Sequence, residues 1–200
     1  GKEEFHETLR YFAHKLEETG VSLKLSTPVS ADLLKDFDEV VLATGITPRR
    51  VDFPGADHAK VLSYVDVLSG RATVGRSAAL IGAGGIGFDV AEYLTHEGGD
   101  SPTLDKARWM AEWGVDPTFE ARGSLVPAKP EPPAREVWLL QRSAGKPGAR
   151  LGKTSGWVHR ATLKAKKVQM LGGVEYLGVD DAGLKIRVGG VERLLPVDHV

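Results

Sequence analysis

Residues 79–94 read ALIGAGGIGFDVAEYL. A short apolar run meets four glycines within six positions, and an apolar-periodic segment follows. Gly82-x-Gly84-x-x-Gly87 supplies three different freedoms. The first glycine permits a tight turn between strand and helix. The second lets backbone approach a phosphate, and the third lets the helix pack closely on the strand. With a strand before it and a helix after it, the motif predicts an anion-binding helix N-terminus built for a dinucleotide. Gly82, Ala83, Gly84, Gly85, Ile86 and Gly87 are therefore candidate cofactor-binding residues.

The surrounding chain reads as α/β. Residues 77–81 form a strand, 88–96 a helix with Ile86, Val90, Ala91 and Leu94 on its buried face, and 136–141 (EVWLLQ) the next strand. Residues 158–166 give another helix and 168–171 another strand. From 172 onward alternation broken by Asp-Asp-Ala-Gly and Gly-Gly predicts an antiparallel meander. Residues 196–200 open one more strand that is not completed. The fold class is thus a Rossmann-like NAD(P)-binding domain, a parallel sheet with helices plus a β-meander. Residues 100–134, with a helix at 104–113 and a Pro-rich loop, read as a surface insertion.

Before this domain, Phe5, Leu9, Phe12 and Leu16 mark an amphipathic helix over 3–19. Val21, Leu23 and Leu25 alternate as a strand would. Residues 39–43 (EVVLA) suit a parallel strand buried on both faces and run into Thr44-Gly45. Residues 61–76 connect the two parts.

The fingerprint expects a carboxylate near the end of the second strand to hold a ribose 2′-hydroxyl. Asp105 has the spacing but sits in a helical stretch. The strand 136–141 ends instead in Gln141-Arg142, and Lys146, Arg150 and Lys153 follow. A guanidinium there pairs with a 2′-phosphate, which favours NADP(H) over NAD(H); a solvated basic loop is the alternative. Gly152-Lys153-Thr154 lacks the first glycine of a phosphate-binding P-loop, because Pro147 stands there. The six histidines have no metal spacing, Asp180-Asp181 reads as turn chemistry, and the four tryptophans read as packing residues. No metal site and no catalytic nucleophile–base pair is legible.

The chain has 26 basic and 27 acidic residues, a net charge of −1 and no cysteine. That balance gives no reason to expect nucleic acid or a membrane surface, and a chain without cysteine supplies no thiolate for an iron–sulfur cluster. The expected location is cytoplasmic.

Taken together, GKEEFHETLRYF, VVLATGITPR, HAKVLSYVDVL, IGAGGIGFDVAEYL, EWGVD, LLQR, KPG and LGKTSGWVHR resemble the C-terminal part of the bacterial NADPH-dependent 2,4-dienoyl-CoA reductases, of the old yellow enzyme and trimethylamine dehydrogenase-like family. The resemblance covers the whole chain, insertion included. It implies a longer parent with an FMN-binding barrel carrying a [4Fe–4S] cluster, an FAD domain, and an inserted NADPH domain. There, hydride passes from NADPH to FAD and electrons continue to FMN for dienoyl thioester reduction in β-oxidation. It implies that residues 1–60 are a partial FAD-binding segment without its glycine fingerprint, with Thr44 and Gly45 near the flavin. Residues 77–200 would be the NADP(H) domain, its last strand truncated. The partners would be NADPH and the FAD and barrel domains of the same polypeptide. This chain alone would not reduce the thioester. A relative of trimethylamine dehydrogenase type implies the alternative, a non-catalytic ADP-binding module.

Overall fold

The computed structural model describes residues 4–96, 98–99 and 101–200. The chain divides into two units, one up to Arg50 and one spanning Val51–Val200.

The first unit holds helix α1 (Phe5–Glu18) and a 3₁₀ turn at Ala31–Leu34. α1 is followed by Gly20 in the left-handed region at φ 68°, a conformation glycine adopts without strain and one that stops a helix. Among the described residues its apolar stripe is largely uncovered: Phe5, Leu9 and Phe12 are exposed and only Leu16 is half-buried. The strands expected at 21–25 and 39–43 are not formed. A strand exists only as one side of a hydrogen-bonded ladder, and among the described residues neither segment has a partner. Val41 and Leu42 are accordingly 89% and 81% exposed.

The second unit has the core. After α2 (Tyr64–Leu68) come β1 (Ser77–Ile81), α3 (Gly85–Thr95), α4 (Lys106–Trp113), β2 (Glu136–Leu140), α5 (Gly156–Ala165) and β3 (Gln169–Leu171). Then follow β4 (Val174–Asp180), β5 (Gly183–Val188) and β6 (Val191–Leu195). β1, β2 and β3 form a parallel sheet in that order, with Ile81 opposite Leu140 and Leu140 opposite Leu171. β4, β5 and β6 form the antiparallel meander. Alternate residues of the parallel strands serve two cores. Ala78, Val137 and Leu139 meet Phe88, Val90, Leu94 and Leu163 of α3 and α5. Ala79 and Leu140 meet Val174, Leu184, Ile186 and Leu195 of the meander. Strands buried on both faces need continuous apolar runs, and SAALI and EVWLL supply them.

Residues 196–200 return to the first sheet. His199 bridges Ala78 in parallel, and Asp198 Oδ2 accepts from the N–H groups of Arg76 and Ser77 at 2.7 and 3.0 Å. Those bonds hold the Asp198 carboxyl below its ordinary range. Residues 51–60, read from sequence with the preceding segment, pack within the second unit. The Phe53 ring lies 6.3 Å from that of Tyr176, and Val179 donates to the Pro54 carbonyl at 3.0 Å.

The insertion is ordered by its own contacts. Asp105 caps α4 by accepting from Arg108 N–H, and the Arg108 guanidinium forks onto both carboxylate oxygens of Glu131. Lys166 Nζ donates to the Glu131 carbonyl at 3.2 Å, fastening the Pro-rich loop to the end of α5.

Candidate nucleotide-binding site

β1 ends at Ile81, and Gly82 turns the chain at φ 116° while its N–H donates to the Leu140 carbonyl at 2.8 Å. Gly84 is the N-cap of α3 in extended conformation, and no side chain caps the helix. Its first turn carries no acidic residue. The free N–H groups and the positive end of the dipole therefore face outward without a built-in anion. A Cβ at Gly84 or Gly85 would have nothing within 4 Å. A Cβ at Gly87 would lie 1.9 Å from the Gly82 carbonyl oxygen. The third glycine is thus required by packing, whereas the second leaves room for a ligand. α3 starts at Gly85, three residues before its expected start, so Ile86 falls in the first turn beside that open space. It is 48% exposed, and Phe88 takes the core position expected of Ile86.

The loop after β2 is stapled to the end of β3. Gln141 Nε2 donates to the Ser143 carbonyl at 3.0 Å, and Gly173 N–H donates to the same carbonyl at 2.9 Å. The Gln141 amide is therefore committed inside the loop. Arg142, Lys146, Arg150 and Lys153 are exposed, with no ion pair among the described residues. Their surroundings differ. Arg142 lies close enough to Tyr176 for its charge to oppose the upward push of burial, which carries that phenol to about 12. Lys146 instead lines an open surface groove together with Trp157, Arg160, Ala161 and Lys164 of α5 and Met170 of β3.

Trp157, read from sequence as a packing residue, is 59% exposed. The signal for this groove was the spacing of Trp157, Arg160 and Lys164, which places all three on one face of a helix. Asp105, with its side chain used as a helix cap, is no ribose ligand of this arrangement. Thr44 and Gly45 are exposed in the first unit, Gly45 at φ 79°.

Among the described residues no group of three or more His, Asp or Glu side chains could hold a metal ion. No helix among them is long and apolar enough to cross a membrane.

Comparison with known proteins places these features. A family model described as pyridine nucleotide-disulphide oxidoreductase matches residues 11–122, more than half of the chain. A metal reductase of Desulforamulus reducens is 25% identical over 207 residues, covering 100% of this chain and 30% of that protein. A cinnamate reductase of Clostridium sporogenes is 37% identical over 99 residues, covering 48% of this chain and 15% of that protein. A solved structure of 2-naphthoyl-CoA reductase with 2-naphthoyl-CoA superposes with a TM-score of 0.68 at 22% identity, over 98% of this chain and 24% of that one. The chain thus spans less than a third of the length of these three proteins.

Proposed function

The chain belongs to the pyridine nucleotide-disulphide oxidoreductase family, and we propose that it is the NADPH-binding part of a longer flavin-dependent reductase of 2,4-dienoyl-CoA reductase type. The family binds FAD and NAD(P)H. The observation that carries the reading is the glycine turn. Its close-packed Gly87 fixes α3 against β1, and its open Gly84 leaves the helix N-terminus free for a pyrophosphate.

The names of two relatives support the substrate class. Cinnamate and 2-naphthoyl-CoA each carry unsaturation conjugated to a carboxylate or thioester carbonyl, as a 2,4-dienoyl thioester does. NADPH, when bound, supplies a hydride. The residues of this chain hold it. The N–H groups at the start of α3 receive the pyrophosphate, and Arg142 offers a guanidinium where an NAD-preferring site would place a carboxylate. FMN and a [4Fe–4S] cluster belong to other parts of the proposed parent, since this chain has no cysteine for the cluster. Thr44 and Gly45 are proposed to approach FAD there, and the remaining domains of that polypeptide are the proposed partners.

Titration with NADPH and with NADH, read by tryptophan-to-nicotinamide energy transfer, tests the reading. NADPH is expected to bind more tightly, and Arg142→Ala to cost about 1.5–3 kcal/mol of that binding. Equal binding of NADPH, NADH and ADP, indifferent to Arg142, would instead support a structural ADP module.

A further inference from the structure

We propose that His199 makes the seating of residues 199–200 beside β1 sensitive to pH: the neutral imidazole holds the segment down, and the protonated ring releases it. The proposal is independent of the nucleotide reading, because none of its residues belongs to the glycine turn or to the loop after β2.

The segment is bonded on both sides. Toward β1, Ala79 N–H donates to the His199 carbonyl at 3.0 Å, and His199 N–H donates to the Ser77 carbonyl at 3.3 Å. On the outer side, Val200 N–H donates to the Lys60 carbonyl at 2.9 Å, and Leu62 N–H donates to the Val200 carbonyl at 2.8 Å.

The His199 ring adds a bond of a different kind. Gly75 N–H donates to its Nδ1 at 3.1 Å. Among the described residues no other acceptor meets that N–H. A ring nitrogen accepts only when it carries no proton, so the neutral ring holds its proton on Nε2. A second proton sets N–H against N–H. Turning the ring over brings no relief, since both nitrogens are then donors. Gly75 is also packed close: a Cβ there would lie 2.7 Å from Asp198 Cβ. A serine or asparagine at 199 would offer Gly75 an acceptor at every pH. Only imidazole ties that acceptor to the proton concentration near neutrality.

The charges around the ring leave this conflict in place. Asp198 attracts a charged ring, but its Oδ2 already accepts from the N–H groups of Arg76 and Ser77 and from the Ser77 hydroxyl. Those bonds keep the carboxylate ionised below its ordinary range, so Asp198 stays fastened while His199 changes. Arg135 is a positive charge on the other side, its Nε donating to the Gly75 and Val74 carbonyls at 3.0 and 3.3 Å. Arg76 and Glu136, at the starts of β1 and β2, are exposed. From the outer neighbour, Lys60 Nζ is committed to the Val197 carbonyl at 2.9 Å. His58 Nδ1 accepts from Lys60 N–H at 3.2 Å, but its Nε2 lies 3.3 Å from Asp181 Oδ1, which favours a charged ring. His58 thus gains a contact where it loses one, and it serves as the control.

Amide hydrogen exchange of the whole chain, read by NMR between about pH 7.5 and 5, tests the proposal. Each rate is divided into that of an unstructured peptide at the same pH. In the wild type, protection at Gly75, Ala79, Leu62 and Val200 should fall by roughly tenfold on acidification, following the titration of the His199 ring carbons. Arg76 and Ser77, bonded to Asp198, should keep theirs, as should the amides of β2 and β3. His199→Asn, which retains an acceptor and cannot titrate, should abolish the fall, and His58→Asn should preserve it. Unchanged protection in the wild type, or a His199 ring that does not titrate in this interval, would overturn the proposal. So would an equal fall in His199→Asn, a fall removed by His58→Asn alone, or a loss shared with β2 and β3.

Discussion

Replacing Gly87 and Gly84 separately by alanine pulls apart two roles that one motif combines. At Gly87 the added methyl would lie 1.9 Å from the Gly82 carbonyl oxygen, 2.9 Å from its carbon and 3.3 Å from Leu139 Cδ1. An ordinary C···O contact is about 3.3 Å or longer, so the first turn of α3 must move roughly 1.4 Å off β1. The obstructing atom is backbone, in a turn pinned by the Gly82–Leu140 hydrogen bond. It cannot rotate aside, so the cost falls toward the top of the overpacking range, about 3 kcal/mol. Alanine returns about 1 kcal/mol of helix propensity. The net loss is about 2 kcal/mol, a fall in Tm of roughly 4–8 °C for a unit of this size. At Gly84 the methyl meets nothing within 4 Å and φ is −86°. Gly84→Ala should therefore cost only the N-cap preference for glycine over alanine, about 0.5–1 kcal/mol, yet weaken NADPH by roughly tenfold or more by standing where the pyrophosphate approaches. Urea unfolding followed by circular dichroism, paired with NADPH calorimetry, measures both. A Gly87→Ala protein as stable as the wild type would refute the close-approach argument. A Gly84→Ala protein that binds NADPH normally would refute the ligand one.

Three further outcomes follow from other parts of the molecule. Leu163 is fully buried between α5 and the sheet, so Leu163→Ala should cost about 2–5 kcal/mol in urea unfolding. The Thr118 hydroxyl and the Ala121 and Thr118 N–H groups bond to Asp116 and lower its carboxyl to about 2. Above its ordinary value near 3.8 that contribution is complete. As pH falls from there toward 2 the unfolded chain takes up the proton first, and the contribution is lost. The fluorescence of a variant keeping Trp113 as its sole tryptophan should report the insertion loosening across this window, and Asp116→Asn should remove part of the dependence, leaving the share of the Arg108–Glu131 pair. Asp198→Ala removes the acceptor of the Arg76 and Ser77 N–H groups; hydrogen exchange at those two amides should accelerate while β2 and β3 stay protected.

The Rossmann-like half of the chain was legible because its signals are local. Continuous apolar runs, a glycine turn and a 3.6-residue period each specify their element without outside help, and the meander is punctuated by its own turns. The segments at 21–25 and 39–43 carry strand-like patterns, but a pattern states which residues suit a ladder, not whether a partner is present. Ile86 was misplaced because α3 begins inside the glycine cluster, where glycines hide the phase of the helix. The boundary of the second unit at Val51 was hidden for another reason. Phe53, Pro54 and Lys60 find their partners in the meander and at residues 197–200, more than a hundred positions away. The α5 groove was missed because Lys146 and Trp157 were weighed singly. Their meaning comes from a loop folding back over a helix, which composition cannot express.

The return of residues 198–199 to β1 bears on the order in which the second unit assembles. The partners of Arg76 and Ser77 lie 122 and 121 positions further along the chain. The meander, by contrast, pairs residues a few to about fifteen positions apart. Closing a long loop costs more entropy than closing a short one, and such contacts form late. The meander can therefore form while the outer side of β1 still has open N–H and C=O groups. That interval is when β1 is most exposed to pairing with a strand from another chain. The Asp198 carboxylate, reaching two amides at once, is the latch that ends it.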